Sequence, residues 1–206
     1  MLLLLNEVEI FAGENLLLKI DDLELEGRSG MLIIGQSSSG KSLLLKTIFG
    51  EYKNYQGEVL INDSSPFSFS RRKSMILIER VPHLLPRSSV WSNLILPFNK
   101  LSRRHRQRLT ELSDIAGVNN LFDLPASEIS YSQMKLLEII RAVVQQPFLI
   151  LIDDIDTYFD EPTLKIAGTI LDNAVSAGTA VLATGKARVG EFNKVFKLNN
   201  GELVAI

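Results

Sequence analysis

The 206-residue sequence has no cysteine, which excludes disulfides, thiol chemistry and thiolate-held metals and suits a reducing cytoplasm. It also has no apolar run near the ~18 residues a membrane-crossing helix needs. The opening Met1-Leu2-Leu3-Leu4-Leu5-Asn6-Glu7 has no basic segment, and its apolar run is too short for a signal peptide, so no export signal is expected. A net charge of −2 gives no general attraction to nucleic acid or anionic lipid, and nucleic acid is not an expected partner. Internal repeats and low-complexity tracts are absent as well. With 46% hydrophobic and 22% charged residues, the composition is that of an ordinary globular protein. The length suits one well-cored domain, 1–206, in which about 82–146 is expected to form a helical subdomain.

Strand-like stretches cover Leu2–Ile10, Leu16–Leu25, Met31–Ile34, Gly57–Asn62 and Met75–Ile78, with turns such as Ala12-Gly13-Glu14-Asn15 and Asp63-Ser64-Ser65-Pro66 between them. From Pro82 to Ser130, prolines punctuate short helical stretches near 88–95 and 101–116. The second carries Arg103, Arg104, Arg106 and Arg108, a basic face read as solvated. Ser132–Gln146 is apolar at helical spacing, Phe148–Ile152 is a buried strand, and a helix over about 161–177 leads to the strand Thr179–Thr184. A hairpin over Val195–Leu198 and Glu202–Ile206 turns at Asn199-Asn200-Gly201. Strands alternating with helices predict an α/β fold with a largely parallel sheet covered on both faces.

One stretch carries the chemistry. Gly35-Gln36-Ser37-Ser38-Ser39-Gly40-Lys41-Ser42 fits G-x-x-x-x-G-K-[ST] at every fixed position. An apolar strand, Met31–Ile34, enters it, and Leu43, Leu44, Leu45, Ile48 and Phe49 continue it as a helix ending near Gly50. Glycines let successive backbone N–H groups, with Leu43 among the residues expected to bind, curl around a phosphate at a helix N-terminus. Lys41 would reach the β- and γ-phosphates, and Ser42 would ligate Mg2+. Downstream, the strand Phe148–Ile152 delivers Asp153 and Asp154 at its C-terminal end, where Asp153 would hold the same metal.

In this order the motifs resemble the nucleotide-binding subunit of ABC-type ATPases, and the resemblance covers nearly the whole chain. It is nearest to the small subunits of cell-division and lipoprotein-release exporters. The resemblance implies a P-loop NTPase core with an N-terminal antiparallel β subdomain and a helical insertion. It also implies that Phe11 stacks on adenine and that Asp154 is the base for the attacking water. Ile129-Ser130-Tyr131-Ser132-Gln133 falls at the family signature LSGGQ, so Ser130, Ser132 and Gln133 would meet ATP bound by a partner chain. Asp160 falls where the loop after Asp154 ends. Residues 84–94 match the stretch that packs on a membrane partner. The expected setting is cytoplasmic, at the inner face of the cell membrane, beside a membrane-embedded permease. The chain would work as a homodimer or paired with a related ATPase subunit.

Four motifs depart from that family pattern, all on the side of hydrolysis. Tyr131 and Ser132 replace the signature glycines, which allow close backbone approach to phosphate. Asp154 replaces glutamate and is one methylene shorter; a ~1 Å misplacement can cost on the order of a hundredfold in rate. Gly185, beside Lys186, replaces a histidine. Either Glu79 or Arg80 stands where a glutamine is expected, Arg80 in the preferred register. Two readings follow: a working ATPase that drives a membrane partner, or a hydrolysis-impaired, nucleotide-gated regulatory or structural subunit. A small P-loop kinase would leave the signature-like segment unexplained.

Overall fold

Short, uniformly apolar strands form the centre of the sheet. In the computed structural model, which describes residues 1–66, 75–188 and 192–206, these are β3 (Gly30–Ile34), β5 (Met75–Ile78), β6 (Leu149–Ile152) and β7 (Ala180–Gly185). They run parallel in the order β3-β7-β6-β5. Such strands must be covered on both sides, and alternate residues sort accordingly. Leu32, Ile78, Ile150, Ile152, Val181 and Ala183 face one core; Met31, Ile33, Met75, Leu149, Leu151 and Leu182 face the other.

The long N-terminal strands alternate in burial and pair antiparallel. β1 (Leu3–Ala12) lies between β2 (Asn15–Leu25) and β4 (Tyr55–Ile61). The closing hairpin β8 (Lys194–Asn199) and β9 (Glu202–Ala205) joins the two parts. β8 runs parallel to β3 and β9 parallel to β2, giving one nine-stranded sheet among the described residues. The α/β class, the largely parallel sheet and the antiparallel N-terminal strands are as the sequence predicts.

Helix α1 (Lys41–Phe49) packs with β1, β2 and β4 in the second core. On the other face lie α2 (Val90–Ile95), α3 (Arg103–Ala116), α4 (Tyr131–Val144) and α5 (Glu161–Ser176). Capping sets their starts: the side chains of Ser89, Ser102, Ser130 and Asp160 each accept a backbone N–H three residues on. For that reason α2 and α3 begin two residues later than periodicity suggests. The basic face of α3 is solvated in part, with Arg106 over the Trp91 ring at 5.0 Å and Arg108 paired with Glu111 at 3.5 Å.

Candidate functional site

The loop between β3 and α1 is pinned at its start, where the Gly35 N–H donates to the Gly185 carbonyl at 3.1 Å. Both of its fixed glycines are required by space. A Cβ on Gly35 would stand 2.9 Å from the Leu198 carbonyl oxygen, and one on Gly40 would stand 2.8 Å from Leu18 Cδ2. Gly40 also adopts φ +99, which penalises any side chain. Gln36, Ser37 and Ser38 are exposed. The Leu44 N–H closes the first turn of α1 on the Gly40 carbonyl at 2.9 Å. The N–H groups of Lys41, Ser42 and Leu43 therefore stand at the helix start, where no carbonyl one turn earlier can take them and the dipole is positive. Leu43 turns its side chain into the core, so only its backbone can serve a ligand. The Ser39 hydroxyl is buried with no hydrogen-bond partner among the described residues.

The Lys41 side chain is buried, and its Nζ donates to the carbonyls of Gly35 and Gln36 at 2.8 Å each. It also lies 3.7 Å from Asp154 Oδ1. Strand β6 brings that carboxylate here, along with its neighbour. Asp153 and Asp154 are 7% and 6% exposed, which for carboxylates demands partners. Thr184, inside the apolar β7, supplies one to the Asp153 carboxylate and holds the backbone of Asp154. Its hydroxyl donates to Asp153 Oδ1 at 3.0 Å and accepts the Asp154 N–H at 2.9 Å. Asp154 adopts φ +45, a left-handed conformation that aspartate tolerates better than most residues. Its second oxygen, Oδ2, lies 3.6 Å from Arg80 Nε. Asp154 thus stands between two cations.

The end of β5 distinguishes Glu79 from Arg80. The Glu79 carboxylate turns toward Lys46 of α1, at 3.3 Å, and toward His83 at 3.7 Å. Arg80 turns toward Asp154. Behind them, Lys135 of α4 is 1% exposed, and its ammonium donates to the carbonyls of Glu79 and of Asp153, the latter at 3.4 Å. Burial pulls its pKa down to about 8, against the opposing pull of Glu138, Asp153, Asp154 and Glu79. Glu138, one turn on, is also buried. Its pKa is raised by desolvation, against the His83 N–H it accepts at 2.7 Å and Arg141 at 3.5 Å.

The signature-like segment opens α4. Ser130 and Gln133 form a reciprocal capping box: the Ser130 hydroxyl accepts the Gln133 N–H at 3.2 Å, and Gln133 Oε1 accepts the Ser130 N–H at 2.9 Å. Tyr131 is exposed and stacks on Tyr158 at 5.3 Å between centroids. Ser132 is half-buried. Among the described residues, no hydrogen bond or ion pair joins 130–133 to the loop 35–42. At the end of β7, Gly185 faces Asp156, whose carboxylate accepts the N–H groups of Lys186 and Ala187 at 2.7 and 3.2 Å. Phe11 is the penultimate residue of β1, next to Ile10, whose cross-strand partner Leu18 lies under Gly40. Its carbonyl accepts from Tyr52 and Asn54.

Sequence reasoning brought Lys41, Asp153 and Asp154 to one place, and the structure groups them there. It missed Thr184, a lone hydroxyl in the run Ala180–Gly185, and Lys135, whose only signal is a charge on the buried side of an apolar helix. Ser42, exposed in the first turn of α1, and Asp153 are the hard oxygen donors on offer. Among the described residues, no three His, Cys, Asp or Glu side chains gather to hold a metal. A hard cation here would have to complete its shell with phosphate oxygens and water.

Comparison with known proteins identifies the family and the fold. The family model described as ABC transporter matches residues 18–157. The lipoprotein-releasing system ATP-binding protein LolD 1 of Rhodopirellula baltica is 30% identical over 207 residues, covering 94% of this chain and 90% of its own length. The molybdate/tungstate import ATP-binding protein WtpC of Archaeoglobus fulgidus is 27% identical, with 88% and 85% covered. A dimeric ATP-binding cassette in a post-hydrolysis state, bound to ADP and phosphate, superposes with a TM-score of 0.81 at 24% identity. That match covers 98% of this chain and 96% of the other. An ATP-binding subunit of an ABC transporter superposes with a TM-score of 0.83 at 17% identity, with 98% and 88% covered. The two structural likenesses are likenesses of fold.

Proposed function

From the premise that this chain belongs to the ABC transporter family, as an ATP-binding subunit with the family's ATPase fold, we propose how its own residues do that work. The observation that carries the proposal is the Lys41 ammonium, held on the Gly35 and Gln36 carbonyls and facing Asp154 across the loop. It is a buried cation beside a backbone cradle, with charges that a triphosphate would engage. The orphaned Ser39 hydroxyl and the glycines whose Cβ would crowd Leu198 and Leu18 fit that ligand. Ser42 and Asp153 would hold Mg2+, a hard cation that would neutralise phosphate charge when bound. Thr184 orients Asp153 by donating to it, and Asp154 would orient the attacking water. Phe11 would lie against the base.

Ser130, Ser132 and Gln133 would serve the nucleotide of a second chain, either a copy of this one or a related ATPase subunit. We further propose a membrane-embedded permease as partner, with this chain peripheral to the inner face of the membrane. Among the described residues, no helix is long and apolar enough to cross a membrane. Residues 80–97, which expose Val81, Leu85 and Leu96, are the proposed contact.

A second reading has its own support. Both Asp154 oxygens face cations rather than open water, and Tyr131 puts a ring where the family has glycine. Slow turnover in a nucleotide-gated subunit would follow. Steady-state ATP hydrolysis by the purified chain, with Lys41→Ala as the blank, tests both readings. Turnover above that blank, abolished in Asp154→Asn, supports the working ATPase. ATP binding without turnover supports the gated subunit, and unchanged ATP binding by Lys41→Ala would sink the assignment of the loop.

A further inference from the structure

Arg80 sits where it can do more than hold an acid. Its guanidinium and the Lys41 ammonium stand on the two oxygens of one carboxylate, at 3.6 and 3.7 Å. Any anion gripped by Lys41 is therefore within a side chain's reach of Arg80, whose own side chain is 50% exposed and so has room to swing. The backbone beneath it is fixed. Lys135 holds the carbonyl of Glu79 to that of Asp153, and the Glu79 side chain is turned away to Lys46 and His83. Lys41 and the buried Lys135 already oppose Asp153 and Asp154, so Arg80 adds one positive charge that a glutamine at position 80 would take away from whatever a triphosphate meets.

We propose that Arg80 is a nucleotide-binding residue of this chain. It exchanges Asp154 for the terminal phosphate of a nucleoside triphosphate and supplies part of the charge otherwise left to a divalent cation. This rests on the assignment of Gly35–Ser42 as the triphosphate cradle. Guanidinium suits the task because its planar fork donates to two phosphate oxygens and stays charged at any working pH. Leaving Asp154 also releases that carboxylate, so the same movement that binds phosphate uncovers the group placed to orient water.

The test is equilibrium binding of ATP, by calorimetry or a fluorescent analogue, in excess Mg2+ and in excess EDTA. The wild type is expected to bind in both, with Kd in EDTA within about tenfold of that in Mg2+. Arg80→Gln should weaken binding in EDTA by about 10- to 100-fold, the range of a charge-assisted hydrogen bond, and by less in Mg2+. Arg80→Lys, which keeps the charge and loses the fork, should fall between. The loss on Arg80→Gln should persist in an Asp154→Asn background; its disappearance there would make Arg80 a mere holder of Asp154 and overturn the proposal. Equal binding by wild type and Arg80→Gln in EDTA would overturn it as well. A wild type that binds ATP in neither buffer would overturn the cradle itself, and this proposal with it.

Discussion

Replacing Lys135 with methionine should change how stability depends on pH more than it changes stability at pH 7. The ammonium is 1% exposed and has a pKa of about 8, against 10.5 for a free lysine. The folded-state pKa is depressed, so between these values the unfolded chain holds the proton more tightly than the folded one. Stability therefore rises with pH across that window. For a shift of this size, the wild type should gain about 2–3 kcal/mol between pH 7 and pH 10 from this group alone. Methionine keeps the length and apolar stem but cannot titrate. At pH 7 its advantage, escape from the desolvation of a charge, is offset by leaving the Glu79 and Asp153 carbonyls without this donor, at about 1–3 kcal/mol each. The two proteins should then differ modestly at pH 7, with the variant progressively the weaker toward pH 10. Parallel urea titrations at pH 7, 8, 9 and 10 measure the difference. Other lysines and tyrosines titrate alike in both proteins and cancel. Two profiles that stay parallel would show that Lys135 is not desolvated as its place under the strand ends requires.

Two further outcomes test the site's construction. Gly40→Ala imposes a side chain on φ +99 and pushes into Leu18. It should cost about 1–2 kcal/mol, seen as ~2–8 °C in Tm, and should cut ATP binding; a variant with wild-type Tm and affinity would refute the steric reading of the loop. Thr184→Val keeps the shape of a fully buried residue but strands the Asp154 N–H and one Asp153 oxygen. A loss of about 2–4 kcal/mol in urea denaturation is expected, and a loss below 0.5 kcal/mol would mean that water replaces the hydroxyl.

The loop Gly35–Ser42 was legible because its constraints are local. Two glycines, a lysine and a serine at fixed spacing between an apolar strand and a helix describe one backbone path. The same holds for the central strands, whose runs of Leu, Ile and Val admit only a sheet covered on both faces, and for the serine caps, where a hydroxyl meets a backbone N–H three residues on. Element ends shifted by a residue or two where a cap outweighed periodicity: Ser89 and Ser102 delay their helices, while Ser130 starts α4 one residue earlier.

What the sequence by itself determined was the set of elements, the phosphate loop and the strand-end acids, because each is specified by neighbours along the chain. Only the tertiary structure decided which groups those acids meet. Thr184 comes from 30 residues beyond Asp154, Lys135 reaches Glu79 from 56 residues away, and Arg80 rather than Glu79 faces Asp154 because α1 offers Lys46 to the glutamate. Parallel pairing of β5, β6 and β7 brings three strand ends together, and a charge buried there must find its partner across the sheet. No spacing along the chain records that meeting.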